Sequence, residues 1–244
     1  MFRPPTPSSP ASRPYLHWFL LSGNAGFVNA GAFLGVGTFA THVTGFGTLF
    51  GVNAAKGDFR SAWTALFVPL LFLLGAFIGG TLVDVRLETG KAPRYDWAMG
   101  LASASLFGVA LLGSLDMLGT FGQVLALHQH PILLSLICFS SGLQNAALTT
   151  SSGRSVRISH LTGLTTDLGV GLAKVAFEER SDDERALALV RAGTIASFIF
   201  GSLVGSFAFL KLGFVTFAGP GLVCAYAAYR GHQVMELYVK GPRI

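Results

Sequence analysis

Charged residues are scarce in this chain: they make up 12% of the sequence, about half the share found in a typical soluble domain. Apolar residues make up 51%. A chain of this composition cannot cover itself with a charged, hydrated surface, so lipid is its predicted surrounding. The chain has only two cysteines, Cys138 and Cys224, and both fall inside apolar runs, which argues against a disulfide framework.

Catalytic motifs are lacking as well. The sequence contains no nucleophile elbow, no phosphate-binding loop and no metalloprotease histidine pair. No cysteine or carboxylate cluster stands at metal-ligand spacing beside His42 or His160, so we expect neither a metal nor a cofactor. The basic residues form short clusters between apolar runs, a pattern typical of the inner face of a membrane rather than of nucleic-acid binding. We therefore expect a membrane protein that is not an enzyme.

Six apolar runs approach the roughly 20 residues that a spanning helix needs. They cover about residues 15–35, 63–83, 97–118, 131–148, 185–210 and 214–229. With both termini inside, all 17 basic residues lie inside except Lys56, Arg60 and Lys211, as the positive-inside rule favours. Pro69 and Pro220 fall within spans, where we expect kinks.

Three sequence blocks occur twice, in the same order. Each pair shares residue types and spacing: Gly26-x-x-Asn29-Ala30 with Gly142-x-x-Asn145-Ala146, Thr41-His42-Val43-Thr44-Gly45 with Ser159-His160-Leu161-Thr162-Gly163, and Gly75-x-x-x-Gly79 with Gly201-x-x-x-Gly205. The chain is therefore predicted to contain two halves of three spans each. An odd number of spans turns the second half upside down, which is the inverted-repeat plan of many transporters and channels.

The apolar runs that follow the two Thr-Gly breaks, 44–56 and 162–174, are too short to cross a membrane. A dozen residues at 1.5 Å each cover about 18 Å of a core about 30 Å thick. These runs could be surface helices, buried loops or re-entrant half-helices. Counting them as crossings would weaken the charge asymmetry between the two sides, so we keep six spans.

The predicted fold is an all-α polytopic membrane protein with six transmembrane helices as a 3+3 inverted repeat, each half with a short re-entrant or broken helix. Residues 1–14 are predicted to be a disordered cytoplasmic tail, 15–118 the first membrane repeat, 131–230 the second, and 231–244 a cytoplasmic tail. The paired glycines suit close helix contacts, either between the second and fifth spans or in a homodimer.

The two breaks are the candidate site. Thr44 and Thr162 are predicted N-caps, and Gly45 and Gly163 allow a sharp backbone turn. A helix that starts there presents free amides and a positive dipole end, which bind anions or neutral polar groups. In the other interpretation the breaks are structural, with threonine and histidine satisfying backbone groups.

Other polar residues in the apolar runs leave the same choice open. His42 and His160 would contact a solute or bond a neighbouring carbonyl. Asn29, Gln144 and Asn145 would line a path or join helices. Asp167 would be functional, as an ionisable group at membrane depth is by default, or would favour the positive end of its half-helix.

The repeated blocks, with Gly142-x-Gln144-Asn145-Ala146 as the most specific part, resemble the YoaK-like family of bacterial inner-membrane proteins of unknown function. The resemblance covers roughly residues 15–230 and implies a multi-pass protein of the bacterial inner membrane. Asn29 stands where aspartate is frequent in that family, and Phe46 where asparagine follows Thr-Gly. Both changes argue against a charge-coupled step in the first half.

The sequence favours a transporter or channel for a small polar solute, which would bind between the two breaks. Its expected partners are membrane lipid and the solute. The residues expected to contact the solute or line its path are His42, Thr44, Gly45, His160, Thr162, Gly163, Asn29, Gln144, Asn145 and Asp167. The alternative is a non-transport membrane protein whose broken helices are structural.

The charge asymmetry generates a test of topology. Both termini should be cytoplasmic, and the loop at residues 128–130 should face the opposite side. Single cysteines introduced at these places, in a variant without Cys138 and Cys224, would be probed in intact cells with a membrane-impermeant maleimide. Labelling is expected only in the loop, and a labelled C-terminus would contradict the six-span topology.

Overall fold

The computed structural model describes residues 13–122, 131–151, 161–177 and 182–240, and every regular element within these ranges is helical. In chain order the helices are α1 Arg13–Val36, α2 Val43–Ala55, α3 Phe59–Glu88, α4 Tyr95–Ser114, α5 Pro131–Ser151, α6 Leu161–Phe177, α7 Asp182–Leu212 and α8 Ala218–Lys240. A short 3-10 turn, Gly213–Phe217, joins α7 to α8. The prediction of an all-α chain is confirmed.

Five described stretches are long and apolar enough to cross a membrane. They are Leu16–Val36, Phe59–Glu88, Tyr95–Ser114, Pro131–Thr149 and Glu184–His232. The last has 49 residues and contains most of α7, the 3-10 turn and the first part of α8. These helices indicate an integral membrane protein, while the count of six spans stays a prediction.

Gly213 and Pro220 lie near the junction of α7 and α8, in the middle of the last stretch, and Pro69 lies inside α3. Gly213 has φ 57°, a conformation that glycine adopts without strain, and it ends α7. Pro220 is the third residue of α8, where a helix has no partner for the backbone N–H. The kink predicted at Pro220 is therefore not required there. Helix α3 continues through Pro69.

Two helix pairs form the closest packing. Helix α1 lies along α7, and α3 lies along α5. Both pairs are parallel, because contacts move forward along both helices together. In the first pair, the Ser22 hydroxyl donates to the Thr194 carbonyl (2.8 Å), and the Ser202 hydroxyl donates to the Gly26 carbonyl (3.1 Å). The predicted contact between the second and fifth spans is wrong, since these spans pack against the fourth and the first.

Helix α4 runs antiparallel to both of its main neighbours, α5 and α8. The Ser140 hydroxyl of α5 donates to the Ala102 carbonyl of α4 (3.1 Å), and Gly108, further along α4, faces Leu136 at an earlier position in α5. On the other side, the Ser103 hydroxyl donates to the Gly221 carbonyl of α8 (2.8 Å). Further along α4, Gly113 lies against Phe214, which comes before Gly221.

Glycine allows both parallel pairs to approach to backbone contact. A Cβ at Gly26 would overlap the Phe198 carbonyl oxygen, and one at Gly201 would overlap the Gly23 carbonyl oxygen. The second pair repeats this arrangement with Gly142 against the Phe72 carbonyl and Gly75 against the Phe139 carbonyl. Gly79 and Gly205 lie one turn further along the same contacts. The prediction that the repeated glycines lie between helices is confirmed.

Buried apolar side chains form two clusters. The larger joins α1, α3, α4, α5 and the 3-10 turn and receives Phe46 of α2. The smaller lies where α1 and α4 begin and includes Trp18, Leu21 and Met99. The short helices α2 and α6 rest on α3 and α7, and most of their residues stay exposed.

The glycine contacts generate a stability test with an internal control. Gly75→Ala places a methyl group on the Phe139 carbonyl and should cost about 1–3 kcal/mol of folding free energy through forced displacement of α5. Gly80→Ala, on the same helix, meets no described atom within 4 Å and should be neutral or stabilising. Thermal unfolding in detergent measures both. Equal melting temperatures for the two variants would remove the packing role of Gly75.

Candidate functional site

The connection between α1 and α2, residues 37–42, is not helical and turns back along the bundle. Thr41 is 3% exposed, and its hydroxyl donates to Asn29 Oδ1 (3.0 Å), about two turns before the end of α1. The neighbouring Ala40 carbonyl accepts from the Cys138 thiol of α5 (3.0 Å). Polar groups of the break are thus satisfied by two helices from inside the protein.

The N-cap of α2 lies two residues earlier than predicted. Its N-cap is His42 (φ −97°, ψ 82°), and no side chain caps the helix. The His42 carbonyl accepts from the amides of Gly45 (2.9 Å) and Phe46 (3.3 Å), which places Thr44 inside the first turn. The predicted N-cap role of Thr44 is therefore wrong. Thr44 and Gly45 are both exposed.

His42 carries the clearest unmet polar requirement. Among the residues that the structure describes, its Nδ1 is the one buried side-chain nitrogen or oxygen without a hydrogen-bond partner. The ring lies edge-on to Phe39, with 5.0 Å between ring centroids. Burial lowers the pKa of His42, so the neutral imidazole prevails near pH 7. A neutral imidazole offers one donor and one acceptor, and burial without a partner is costly.

The second break is described only from Leu161, where α6 begins, so His160 lies outside the described residues. Thr162 and Gly163 are exposed within the first turn of α6, so Thr162 is not the N-cap. The Thr162 carbonyl accepts from the Thr166 hydroxyl (3.0 Å). The side chain of Asp167 is exposed one turn later, and its carbonyl accepts from Arg191 of α7 (3.0 Å).

Two of the buried amides, Asn24 and Gln144, form a contact between helices. Asn24 Nδ2 of α1 donates to Gln144 Oε1 of α5 (3.2 Å) and lies 3.5 Å from the Cys224 sulfur of α8. Gln144 Nε2 donates to the Ser140 hydroxyl (3.1 Å). Asn145 Nδ2 donates to a carbonyl of its own helix, that of Ser141 (2.8 Å). Gln144 therefore links the two halves, whereas the bond of Asn145 to Ser141 stays within α5.

The structure brings together some of the predicted site residues. Asn29 joins the first break through Thr41, and Gln144 joins α1 through Asn24. The exposed residues of the first break rest with α2 on α3, while those of the second rest with α6 on α7. Whether the two breaks face one central site stays a prediction. Sequence reasoning missed Arg191, although an arginine within the apolar part of α7 was a visible signal.

Comparison with known proteins identifies a family whose function is unknown. A family model described as a protein of unknown function (DUF1275) matches residues 17–229. No curated protein and no solved structure matches the chain.

The Asn29–Thr41 hydrogen bond generates a second stability test. Thr41→Val removes the donor and leaves the Asn29 carbonyl oxygen buried without it, which should cost about 1–3 kcal/mol. Thr64→Val is the matched control, because the exposed Thr64 hydroxyl bonds only along its own helix, to the Arg60 carbonyl (3.0 Å). Unfolding in detergent is the measurement. A loss of stability no larger than that of the control would show that this bond does not hold the break.

Proposed function

The chain belongs to the DUF1275 family of proteins of unknown function, and we propose that it is a transporter or channel for a small polar solute. The observation that carries the proposal is the buried, unpartnered His42 Nδ1 at a non-helical break. Irregular backbone at membrane depth is tolerated only where protein buries it or a wet cavity reaches it. A solute or water that satisfies His42 turns this break into a binding site.

The helix directions support six crossings. Helices α1 and α4 start together, where His17 Nε2 lies 2.9 Å from the Tyr95 hydroxyl, and they end together, where Phe121 after α4 packs on Gly35. Helix α7 is parallel to α1, while α5 and α8 are antiparallel to α4 and α3 is parallel to α5. The directions therefore alternate along the chain. The last candidate span also has enough residues for two crossings, since 49 residues of helix extend about 74 Å.

The same directions support the inverted repeat. The sequence blocks make α5, α6, α7 and α8 the counterparts of α1, α2, α3 and α4. Each crossing helix runs opposite to its counterpart. The glycine contacts follow the same correspondence, because Gly26 of α1 contacts Phe198 of α7 and Gly142 of α5 contacts Phe72 of α3. In this proposal the protein lies in the bacterial inner membrane with both termini cytoplasmic, and the positive-inside distribution and the YoaK-like resemblance support that orientation.

Helix α2 is the re-entrant element of the first half in this proposal. Residues 37–42 return from the end of α1 to the depth of Asn29, and α2 then leads outward to the start of α3. Its 13 residues extend about 20 Å, which is enough to leave the membrane from that depth but not to cross it. The predicted counterpart in the second half is α6, entering from the cytoplasmic side.

The groups at the breaks favour a neutral polar solute. Helix starts attract neutral or negative groups, and a neutral His42 adds one hydrogen-bonding nitrogen without charge. Asp167 on α6 opposes an anion. The solute-contacting set of the proposal is His42, Thr44, Gly45, His160, Thr162, Gly163 and Asp167, with Asn29, Gln144 and Asn145 along the approach.

The second candidate, a non-transport membrane protein, is favoured by the paired amides. Asn24 and Gln144 satisfy each other across the two halves, and Phe46 anchors α2 in the apolar core. In that case the breaks would only complete a compact bundle.

Permeability of reconstituted vesicles separates the two candidates. Stopped-flow light scattering would follow urea and glycerol as neutral probes and formate as an anion. The wild type should admit a neutral solute faster than protein-free vesicles, and Thr44→Val with Thr162→Val should abolish the difference by removing both hydroxyls. His42→Phe should act in the same direction by removing the unpaired nitrogen.

Thr64→Val, on the exposed face of α3, is the control and should keep wild-type permeability. Unchanged melting temperatures would establish that the double variant is folded. If the wild type admits all three solutes no faster than empty vesicles, the non-transport candidate is favoured.

A further inference from the structure

Arg191 lies in α7 within the candidate span Glu184–His232, where a charged side chain is costly. Its side chain is only 19% exposed. A half-buried arginine in an apolar helix needs partners that offset the cost of its desolvation. Arg191 has one partner on α6, the short helix that carries Thr162 and Asp167, and another at the start of α7 itself.

The guanidinium of Arg191 bridges two helices. Its Nη1 donates to the Asp167 carbonyl in α6 (3.0 Å) and lies 3.7 Å from Glu184 Oε2 at the start of α7. The other Glu184 oxygen lies 3.5 Å from the Lys174 ammonium at the far end of α6. Arg191 and Glu184 together therefore hold α6 at its middle and near its end.

Gly171 provides the room for this bridge. It is buried, and a Cβ there would lie 2.8 Å from Arg191 Nη1 and 3.4 Å from Glu184 Oε2. The contact is with the flexible end of the arginine, so an added methyl group would push the guanidinium away rather than block folding. Gly169, two residues earlier, offers a contrast, because a Cβ there meets no described atom within 4 Å.

At the corresponding positions of the first half, all within the described range 13–122, the residues cannot form such a bridge. The repeat places Ala65 at the position of Arg191, Asn53 at that of Gly171 and Leu49 at that of Asp167. Ala65 is 1% exposed and belongs to the apolar cluster that also receives Phe46 of α2. Apolar packing thus holds α2 on α3, whereas charge-assisted hydrogen bonds contribute to holding α6 on α7.

We propose that Arg191 is a positioning residue that latches α6 to α7 and sets the place of Asp167 and Thr162. The effect of this latch on a solute site rests on the proposed function, since release of α6 would move Thr162 and Asp167 on one side of that site. The latch makes α6 the releasable short helix and α2 the fixed one. An arginine is suited to the task, because it can donate to a carbonyl and face a carboxylate at once.

Hydrogen–deuterium exchange of the protein in nanodiscs tests the latch without any solute. Arg191→Met keeps the length of the stem and removes the donors, so amide exchange in α6 should accelerate by roughly tenfold, the size expected for one lost charge-assisted hydrogen bond. Gly171→Ala should accelerate exchange in α6 by displacing the guanidinium, and Arg191→Lys should restore part of the protection. The double variant Gly171→Ala with Arg191→Met should exchange no faster than Arg191→Met alone.

Gly169→Ala is the matched control on the same helix and should leave exchange in α6 unchanged or slower. Exchange in α2 should not respond to any of these changes. Unchanged α6 exchange in Arg191→Met would overturn the latch, and so would equal acceleration of every helix in both Arg191→Met and Gly171→Ala. If the wild type shows no solute permeability in vesicles but amide exchange in α6 accelerates in Arg191→Met, only the transport proposal is contradicted. The exchange measurement does not depend on a transported solute.

Discussion

Contact between glycine and backbone carbonyl oxygen is the constraint on which the arrangement of the helices depends. Lipid tails are as apolar as leucine, so helices in a membrane gain little from hiding apolar side chains and rely on close packing instead. Gly26 and Gly201 bring α1 and α7 to this distance, and Gly142 and Gly75 do the same for α5 and α3. Each pair takes one helix from each half. Neither half can therefore form its closest contacts alone.

The contact at Gly26 lies close to the point where the first break is held. In the motif Gly26-x-x-Asn29, the glycine faces α7, and the asparagine, one turn later, receives the Thr41 hydroxyl of the returning connection. Residues three apart lie on neighbouring parts of one helix surface, so a single short motif sets both the helix contact and the place where the break is held. Gly142-x-x-Asn145 has the same spacing, and its glycine faces the Phe72 carbonyl.

The sequence predicted where the helices lie along the chain better than it predicted which helices pack against each other. Apolar runs of about 20 residues located the long helices. The repeated glycines were correctly placed between helices, because their small-xxx-small spacing is typical of close helix contacts. The spacing carries no information on which helix lies opposite, so the pairing of the second and fifth spans was wrong. Thr44 was misread as an N-cap because its hydroxyl suits that role, whereas the His42 carbonyl already accepts the first helical bonds. Arg191 was counted only as a charge, and its reach to α6 depends on a helix contact that no local pattern encodes.

The two halves of the sequence share their glycine contacts but differ in polarity at the short helices. Leu49 and Ala65 in the first half are replaced by Asp167 and Arg191 in the second, while the glycine contacts are kept. Apolar residues suffice to hold a short helix in place, as Phe46 and Ala65 do for α2. Charged residues in the same positions cost desolvation free energy without improving the packing. Apolar packing therefore accounts for how α2 is held on α3 but not for the charges between α6 and α7, and the positioning role that we propose for Arg191 supplies a reason for them.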